Sequence, residues 1–305
     1  MRYAVTGAAG FIGSHLAESL LAAGDDVVAV DAFTDYYDVA LKEENARDLD
    51  VLRLDLAVDD LDLRGVDGVF HLAGQPGVRS FGDVFDLYAR NNLVACRRIF
   101  EAAARSGVRV VFASSSSIYG DAERYPTPEE TEARPISPYG ITKLGCEHLA
   151  YAYAHEFGLD VVVLRFFTFY GPRQRPDMAF ARLVDALARG ATFELYGDGL
   201  QSRAFTYVGD GVEAVAAAME RAPSGATLNV GGGAEATMRD AIATLERISG
   251  RSLDVVERPA TKGDVRRTAP DTSRIAQELG WHATTSLADG LKAQWEWAAN
   301  RVAAR

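Results

Sequence analysis

The first 31 residues constrain the fold most, because they have the pattern of a strand, a glycine-rich turn, a helix and a second strand. Residues 3–6 are apolar enough for a short buried strand, and glycines recur in the turn from Gly7 to Gly13. A helical pattern follows and ends at Gly24. Such a turn lets the backbone approach a pyrophosphate, whose charge the N-terminal amides of the helix receive. The pattern predicts a dinucleotide site.

The second strand, residues 26–31, identifies the dinucleotide. It ends in Asp31, roughly 20 residues after the turn, where a carboxylate that binds a ribose hydroxyl is expected. Asp31 would repel a 2′-phosphate, and Ala32-Phe33 supplies no arginine to receive one. We therefore predict NAD rather than NADP. The cofactor-binding residues predicted in this segment are Gly7, Gly10, Phe11, Ile12, Gly13 and Asp31.

Strands and helices then alternate through the first half of the chain. Strand patterns cover 51–54, 68–72, 108–113 and 160–166, and helical patterns cover 83–106 and 138–157. This alternation predicts an α/β fold of the Rossmann type, a doubly wound parallel sheet with ligands at the carboxyl ends of its strands. The further cofactor-binding residues predicted at that edge are Asp55, Leu56, Leu72, Ala73, Asn92 and Ser114.

Two of these residues have an equally good alternative. Asp55 can accept a hydrogen bond from an adenine amino group, or it can be an ordinary residue at the end of a strand. Asn92 can bind the cofactor, or its amide can satisfy local backbone groups from within a helix. The pattern alone leaves both alternatives open.

The second half of the chain predicts a smaller α/β lobe that binds the substrate. A loop rich in proline, glycine and arginine follows residue 165, and short helices and strands continue to the C-terminus. No linker separates the halves, so we expect them to interleave. Residues 1–168 are assigned to the cofactor domain, with 205–230 returning to it, and 169–204 and 231–305 to the lobe.

Residues 114–143 combine a strand that ends in serines with a helix that begins near Tyr139. Tyr139 and Lys143 are four residues apart, so a helix places both on one face. An ammonium beside a phenol favours the phenolate form, which suits a general base. A tyrosine and a lysine on a helix surface would also explain this spacing. Because a dinucleotide site is predicted at the same edge, we interpret the segment as a catalytic centre.

Composition excludes several classes of protein. The 305 residues are 48% hydrophobic and carry a net charge of −11, without runs of lysine or arginine, so neither nucleic acid nor a membrane is an expected partner. Cys96 and Cys146 are the only cysteines, and no histidine spacing suits a metal, so no metal is expected. No signal-peptide or membrane-spanning pattern occurs, and the cytoplasm is the expected location.

Together these features resemble the extended short-chain dehydrogenase/reductase superfamily, the nucleotide-sugar epimerases and dehydratases, over nearly the whole chain. The segments 35–42, 71–79 and 166–180 are most similar to UDP-glucuronate 4-epimerases. The resemblance implies a catalytic triad of Ser115, Tyr139 and Lys143, with Lys143 also holding NAD. It also implies a homodimer formed through the helices at 83–106 and 138–157.

The resemblance places the UDP part of a sugar nucleotide on Arg203 and on the loop around Asp264. Many relatives have an arginine just before the Gly-Asp of that loop, where this chain has Thr261-Lys262. Lys262, Arg266 or neither could therefore meet the phosphates. Gly209 also stands where a polar residue is expected.

The implied reaction oxidises the sugar transiently. Tyr139 takes the proton of the 4-hydroxyl while C4 passes hydride to NAD, and hydride returns to the other face of the 4-keto sugar. Relatives that dehydrate the sugar place Asp-Glu after the catalytic residue, where this chain has Ser116-Ser117, and decarboxylating relatives place Glu at the position of Ser117. A UDP-glucose 4-epimerase stays open because it shares the triad. A non-catalytic NAD sensor is the remote alternative.

A carboxylate on the sugar would need its own contacts. Oxidation at C4 turns glucuronate into a β-keto acid, which loses carbon dioxide when the carboxylate bond aligns with the ketone. We hypothesise that four residues hold the carboxylate out of that alignment: Ser116, Ser117, Thr168 and Arg175. Arg175 could instead face solvent, and the serines could be ordinary turn residues.

Overall fold

Thirteen strands are present in the computed structural model, which describes residues 1–77, 84–233, 235–260 and 266–303. In chain order they are β1 (Arg2–Thr6), β2 (Asp26–Asp31), β3 (Val51–Arg53), β4 (Gly68–His71), β5 (Arg109–Ser115), β6 (Val161–Phe166), β7 (Thr168–Tyr170), β8 (Phe193–Tyr196), β9 (Ser202–Tyr207), β10 (Thr227–Val230), β11 (Glu235–Thr237), β12 (Val255–Arg258) and β13 (Arg267–Thr268). Seven of them form one sheet in the order β10-β6-β5-β4-β1-β2-β3, with every neighbouring pair parallel.

Helices cover both faces of this sheet. They are α1 (Phe11–Ala22), α2 (Val39–Asn45), α3 (Phe85–Tyr88), α4 (Ala95–Ser106), α5 (Pro138–Phe157), α6 (Ala179–Arg189), α7 (Val208–Arg221), α8 (Met238–Ser249), α9 (Ser273–Leu279) and α10 (Leu287–Ala303). One apolar cluster joins the sheet to α1, α7 and α9, and a second joins it to α4 and α5. The predicted doubly wound α/β fold is confirmed. Within the described ranges, no helix is long and apolar enough to cross a membrane.

The remaining strands build a smaller layer beside the carboxyl edge of the sheet. Strand β9 pairs with β7, β11 and β13, and β8 pairs with β12. A third apolar cluster packs these strands against α6, α8 and α10. Strand β10 returns from this part of the chain to the edge of the main sheet, beside β6. The two parts of the molecule therefore interleave in sequence.

The structure contains local features that the sequence did not predict. The helix predicted over 83–106 contains a π-helical segment, Ala89–Val94, between α3 and α4. The strand predicted over 160–166 is β6, and a further strand, β7, follows it directly: the Phe167 nitrogen donates to the Val230 carbonyl oxygen of β10 at 3.0 Å, and Thr168 then pairs with β9. Helix α2 and the short strands β11 and β13 were not predicted, because segments this short show little periodicity.

His71 at the end of β4 is the most deeply buried titratable group of the central sheet. Its Nδ1 lies 2.8 Å from Thr6 Oγ1, its Nε2 lies 3.2 Å from Cys96 Sγ, and its ring stacks on Phe112. Burial, with a smaller contribution from the charge of Lys143, lowers the pKa of His71 from 6.5 to about 3. The native state therefore keeps this imidazole neutral in mildly acidic solution.

This burial predicts a specific loss of stability in acid. Below pH 6.5 the unfolded chain protonates His71 and the native state does not. The contribution of neutral His71 to the free energy of unfolding is therefore fully present above pH 6.5 and falls as the pH drops toward about 3. The loss is about 1.4 kcal/mol per pH unit. We expect His71→Asn to be less stable than the wild type at pH 7.5, and this deficit to shrink by about 2 kcal/mol at pH 5. Urea unfolding at both pH values measures it, and an unchanged deficit would contradict the prediction.

Candidate active site

The glycine turn between β1 and α1 lies directly against the start of the loop after β4. Gly7 has a φ of +73°, and a Cβ there would come within 2.9 Å of the Ala73 nitrogen. A Cβ on Gly13 would lie 2.1 Å from the Gly7 carbonyl oxygen. Only glycine fits at these two positions. Helix α1 begins at Phe11, so its free amide groups open onto the turn.

Asp31 is held at the end of β2 with its carboxylate beside the same turn. One carboxylate oxygen accepts from the Ala9 amide at 3.1 Å, and the other accepts from the Phe33 amide at 2.7 Å. Each oxygen keeps a lone pair for a further donor. The residues present thus offer what a dinucleotide needs: a turn with space for a pyrophosphate and a fixed carboxylate for a ribose hydroxyl.

One cleft runs along the carboxyl edge of the sheet and brings together most of the predicted site. The predicted residues that line it are Gly7, Gly10, Phe11, Ile12, Gly13, Asp31, Asp55, Leu56, Leu72, Ala73, Ser114, Ser115, Tyr139, Lys143 and Arg175. Those placed outside its lining are Asn92, Ser116, Ser117, Thr168 and Arg203. Asp264 lies outside the described residues.

The start of helix α5 packs on the serine turn that follows β5. Ser137 caps the helix by accepting from the Gly140 amide at 3.1 Å. A Cβ on Gly140 would lie 2.5 Å from the Ser117 carbonyl oxygen, so the two backbones touch. Because this contact fixes the first turn of α5, Tyr139 faces the cleft beside the serines.

Lys143 and Ser115 are oriented by backbone contacts. The buried Lys143 Nζ donates to the Ala113 carbonyl oxygen at 2.7 Å and lies 5.9 Å from the centroid of the Tyr139 ring. Two ammonium protons remain for groups in the cleft. Ser115 Oγ accepts from the Ser117 amide at 3.1 Å, so its own proton is available to a ligand oxygen. This arrangement suits transfer of a proton at a hydroxyl group.

Asn92 does not line the cleft. Its side-chain oxygen accepts from the Gln75 amide at 2.7 Å, and its nitrogen donates to the Gln75 carbonyl oxygen at 3.2 Å and to Thr142 Oγ1 at 2.9 Å. Only 1% of the Asn92 surface is exposed, and both protons of its side-chain nitrogen are used. These contacts favour the alternative in which Asn92 satisfies local backbone and shapes the loop that lines the cleft, and direct cofactor contact stays a prediction. Asp55 does line the cleft, and it forms an ion pair with Arg90.

Arg175 reaches the cleft from the loop after β7. Its guanidinium makes two 3.0 Å bonds to the Asp177 carboxylate, which also accepts from the Tyr36 hydroxyl at 3.3 Å. These bonds use Nε and Nη2, so Nη1 remains for a ligand. Thr168 is half-buried at the first position of β7, and Arg203 is half-buried on β9.

Several residues of the site were not predicted. Tyr36, Tyr37 and Lys42 also line the cleft, and burial lowers the pKa of Lys42. A buried ion pair joins Arg165 to Glu147, four residues after Lys143 on α5. Its sequence signal is an arginine inside an otherwise apolar strand. Among the residues described, no cluster of histidine, cysteine or acidic side chains could hold a metal.

Comparison with known proteins identifies the family. The sequence pattern of the NAD dependent epimerase/dehydratase family matches residues 3–231. The chain belongs to this family. It is 41% identical over 303 residues to the "uncharacterized UDP-glucose epimerase YtcB" of Bacillus subtilis, covering 95% of this chain and 96% of that protein.

Further matches cover nearly all of this epimerase-family chain. It is 34% identical over 315 residues to the UDP-glucuronate 4-epimerase of Thermodesulfobacterium geofontis, covering 98% of this chain and 97% of that protein. The crystal structure of a UDP-glucuronic acid 4-epimerase from Bacillus cereus with UDP-glucuronic acid and NAD superposes with a TM-score of 0.94 at 38% identity, covering 99% and 100%. The family is NAD dependent, which confirms the predicted cofactor.

The position of Asp31 predicts how cofactor preference can be changed. Asp31→Ala removes the acceptor for the ribose hydroxyl and the charge that repels a 2′-phosphate, so NAD affinity should fall about 10- to 100-fold while NADP affinity does not fall. Asp26→Ala, at the exposed start of the same strand, is the control. Titration of both dinucleotides against both variants measures the effect, and an unchanged preference would argue against the ribose role of Asp31.

Proposed function

We propose that this protein catalyses NAD-dependent 4-epimerisation of UDP-glucuronate to UDP-galacturonate through a transient 4-keto sugar. The observation that carries the proposal is the placement of Tyr139, Lys143 and Ser115 in one cleft, with the cation Arg175 in the same lining. The first three residues supply proton transfer at a hydroxyl, and the fourth can meet a carboxylate. Relatives named for this activity support the choice of substrate.

The proton chemistry follows from the contacts of the three residues. Tyr139 accepts the proton of the 4-hydroxyl and later returns it to the same oxygen. Lys143 stabilises the phenolate, because its ammonium is fixed by the Ala113 carbonyl near the Tyr139 ring. Ser115 donates its free proton to the reacting oxygen. Bound NAD supplies the hydride acceptor and donor, so the cycle has no net oxidation.

Arg175 is the group that distinguishes a uronate from a neutral sugar. Asp177 fixes two of its nitrogens and leaves Nη1 for the sugar carboxylate. A charge-assisted bond from an oriented guanidinium sets the direction of that carboxylate as well as its affinity. Ser116, Ser117 and Thr168 are proposed to add hydroxyl contacts, and Arg203 and Asp264 to bind the UDP part. These contacts would oppose rotation of the carboxylate into line with the C4 ketone, the alignment in which carbon dioxide is lost.

UDP-glucose 4-epimerisation is the second candidate. It is favoured by the 41% identical relative named as a UDP-glucose epimerase, and the same triad would perform it. In that case Arg175 stays paired with Asp177 and has no substrate partner.

The oligomeric state, location and domain assignment belong to the same proposal. A homodimer is supported by exposed apolar side chains on the expected interface helices, among them Phe85, Leu87 and Ile141. A cytoplasmic location is supported by the free thiols of both cysteines. The domain assignment is supported by the position of β10 in the main sheet, although residue 205 falls within β9 rather than at its end.

Removal of the proposed base tests the reaction. Tyr139→Phe should fold and keep NAD but lose epimerisation by about a thousandfold or more, because only the hydroxyl is gone. Tyr151→Phe is the matched control, since Tyr151 lies on the same helix and its hydroxyl meets Thr227 away from the cleft. Product formation from UDP-glucuronate is the measurement. More than about a tenth of wild-type activity in Tyr139→Phe would refute the assignment.

Removal of the proposed carboxylate contact tests the substrate. Arg175→Ala should weaken carboxylate binding by about 2 to 5 kcal/mol and raise the ratio of decarboxylated pentose product to epimer. The Ser116→Ala/Ser117→Ala variant should shift the ratio in the same direction. Arg182→Ala, a nearby arginine outside the cleft lining, is the control. The measurements are the ratio of pentose to epimer formed from UDP-glucuronate and the rate of UDP-glucose turnover. If both the product ratio and the preference between the two sugars are unchanged in Arg175→Ala, UDP-glucose is the better substrate assignment.

A further inference from the structure

A row of polar side chains crosses three neighbouring strands beside the candidate site. Ser114 on β5 pairs in register with Arg165 on β6, and Arg165 pairs in register with Asn229 on β10. All three are buried. Paired positions of parallel strands direct their side chains to the same face, so these residues form one continuous line at the carboxyl edge of the sheet.

Glu147 of helix α5 covers the first part of this row. Its carboxylate accepts from the Ser114 hydroxyl and from two nitrogens of Arg165, at 3.1 and 2.8 Å. Glu147 is fully buried, so its charge depends on these partners. Ser114 immediately precedes the proposed catalytic serine, and the contact therefore holds the end of β5.

Tyr119 covers the second part of the row. Its hydroxyl donates to the Asn229 side-chain oxygen at 2.8 Å and accepts from Arg165 Nη1 at 2.9 Å. Burial raises the pKa of Tyr119 to about 12, so the hydroxyl keeps the proton that it donates. Tyr119 is also the last residue of the 3-10 turn Ser116–Tyr119, which Ser115 caps at its start. One hydroxyl thus fixes the far end of the turn that begins at Ser115.

Asn229 connects this turn to the smaller lobe. Its side-chain nitrogen donates to the carbonyl oxygens of Thr127 and Asp271, at 2.9 and 3.3 Å. Asp271 follows β13, whose two residues pair with Ser202 and Arg203 of β9. Hydrogen bonds through Asn229 and the short chain segment from Asp271 back to β13 therefore connect the serine turn to β9, the strand that carries the proposed UDP contact, Arg203.

We propose that Tyr119 is a positioning residue for Ser115, which it orients by tying the serine turn to Arg165 and Asn229. The inference rests on the proposed function, in which Ser115 donates to the reacting sugar oxygen. Ser115 Oγ is already held from one side by the Ser117 amide, so the direction of its free proton follows the position of the turn. A shift of the turn misdirects this donor without removing it.

The first test separates positioning from general stability. Tyr119→Phe keeps the buried ring and removes only the hydroxyl, and kcat should fall about 10- to 100-fold while KM and NAD content stay within about twofold. Tyr170→Phe is the matched control, because Tyr170 is equally buried and its hydroxyl donates to the Ser286 carbonyl oxygen, away from the serine turn. The control should lose thermal stability and keep kcat. Unchanged kcat in folded Tyr119→Phe would overturn the inference.

The second test asks whether Tyr119 acts through Ser115. In a Ser115→Ala background there is no donor to misdirect, so adding Tyr119→Phe should lower kcat by less than about twofold. If Tyr119→Phe does not fold, Asn229→Leu replaces it: this variant removes the acceptor of the Tyr119 hydroxyl together with two other hydrogen bonds of the Asn229 side chain, and kcat should again fall by less than about twofold in the Ser115→Ala background. Effects that multiply fully in the double variants would overturn the inference and leave the proposed function intact. Full activity of Ser115→Ala alone would overturn both the inference and the role of Ser115.

Discussion

The buried ion pair between Glu147 and Arg165 is the interaction on which the geometry of the site depends. It fastens helix α5 to β6, while Lys143, one turn earlier, fastens the same helix to the Ala113 carbonyl of β5. Loss of one partner of such a pair is destabilising by about 3 to 5 kcal/mol, because a buried charge is left alone. Helix α5 is therefore held at two points, which fix the position of Tyr139 at its N-terminal end, above the strand ends.

The strongly periodic parts of the chain were predictable, and the reasons are local. Helix α5 begins and ends as predicted because Ser137 and Pro138 start it and Gly158 stops it. The glycine turn and Asp31 fall at fixed offsets in one strand-turn-helix-strand unit, so their convergence also follows from the sequence. The catalytic and substrate-binding roles of individual residues come from the family resemblance, because hydrophobic periodicity does not indicate them.

Contacts between distant segments could not be read from the pattern. Whether Asn92 binds a ligand or the backbone depends on Gln75, which lies in the loop after β4 and not in the helical segment of Asn92. Tyr119 and Asn229 meet only because β10 returns beside β6. Likewise, Asp177 determines which edge of Arg175 faces the cleft, and this follows from a loop conformation rather than from a repeat. Secondary structure is predicted from the periodic spacing of hydrophobic residues, and that spacing gives no information about which polar side chains meet across distant segments.

Charge is distributed unevenly between the site and the rest of the molecule. The whole chain carries −11, yet the cleft lining contains three cationic side chains, Lys42, Lys143 and Arg175, beside the carboxylates Asp31 and Asp55. Cationic side chains collected in one cleft of an acidic protein give an anionic ligand positive partners at that place, while the negative charge of the rest of the molecule repels it. A nucleotide sugar with a carboxylate matches that distribution.

The return of β10 to the sheet also determines when the site can form during synthesis. The ribosome releases the chain from its N-terminus, so β6 is complete long before residues 227–230 exist, and until then its outer edge has no partner. Asn229 arrives only with that last strand. A nascent chain can therefore build most of the cofactor cleft early, but the serine turn receives its contact with Asn229 only after residues 169–204, the first segment of the second lobe, have been translated.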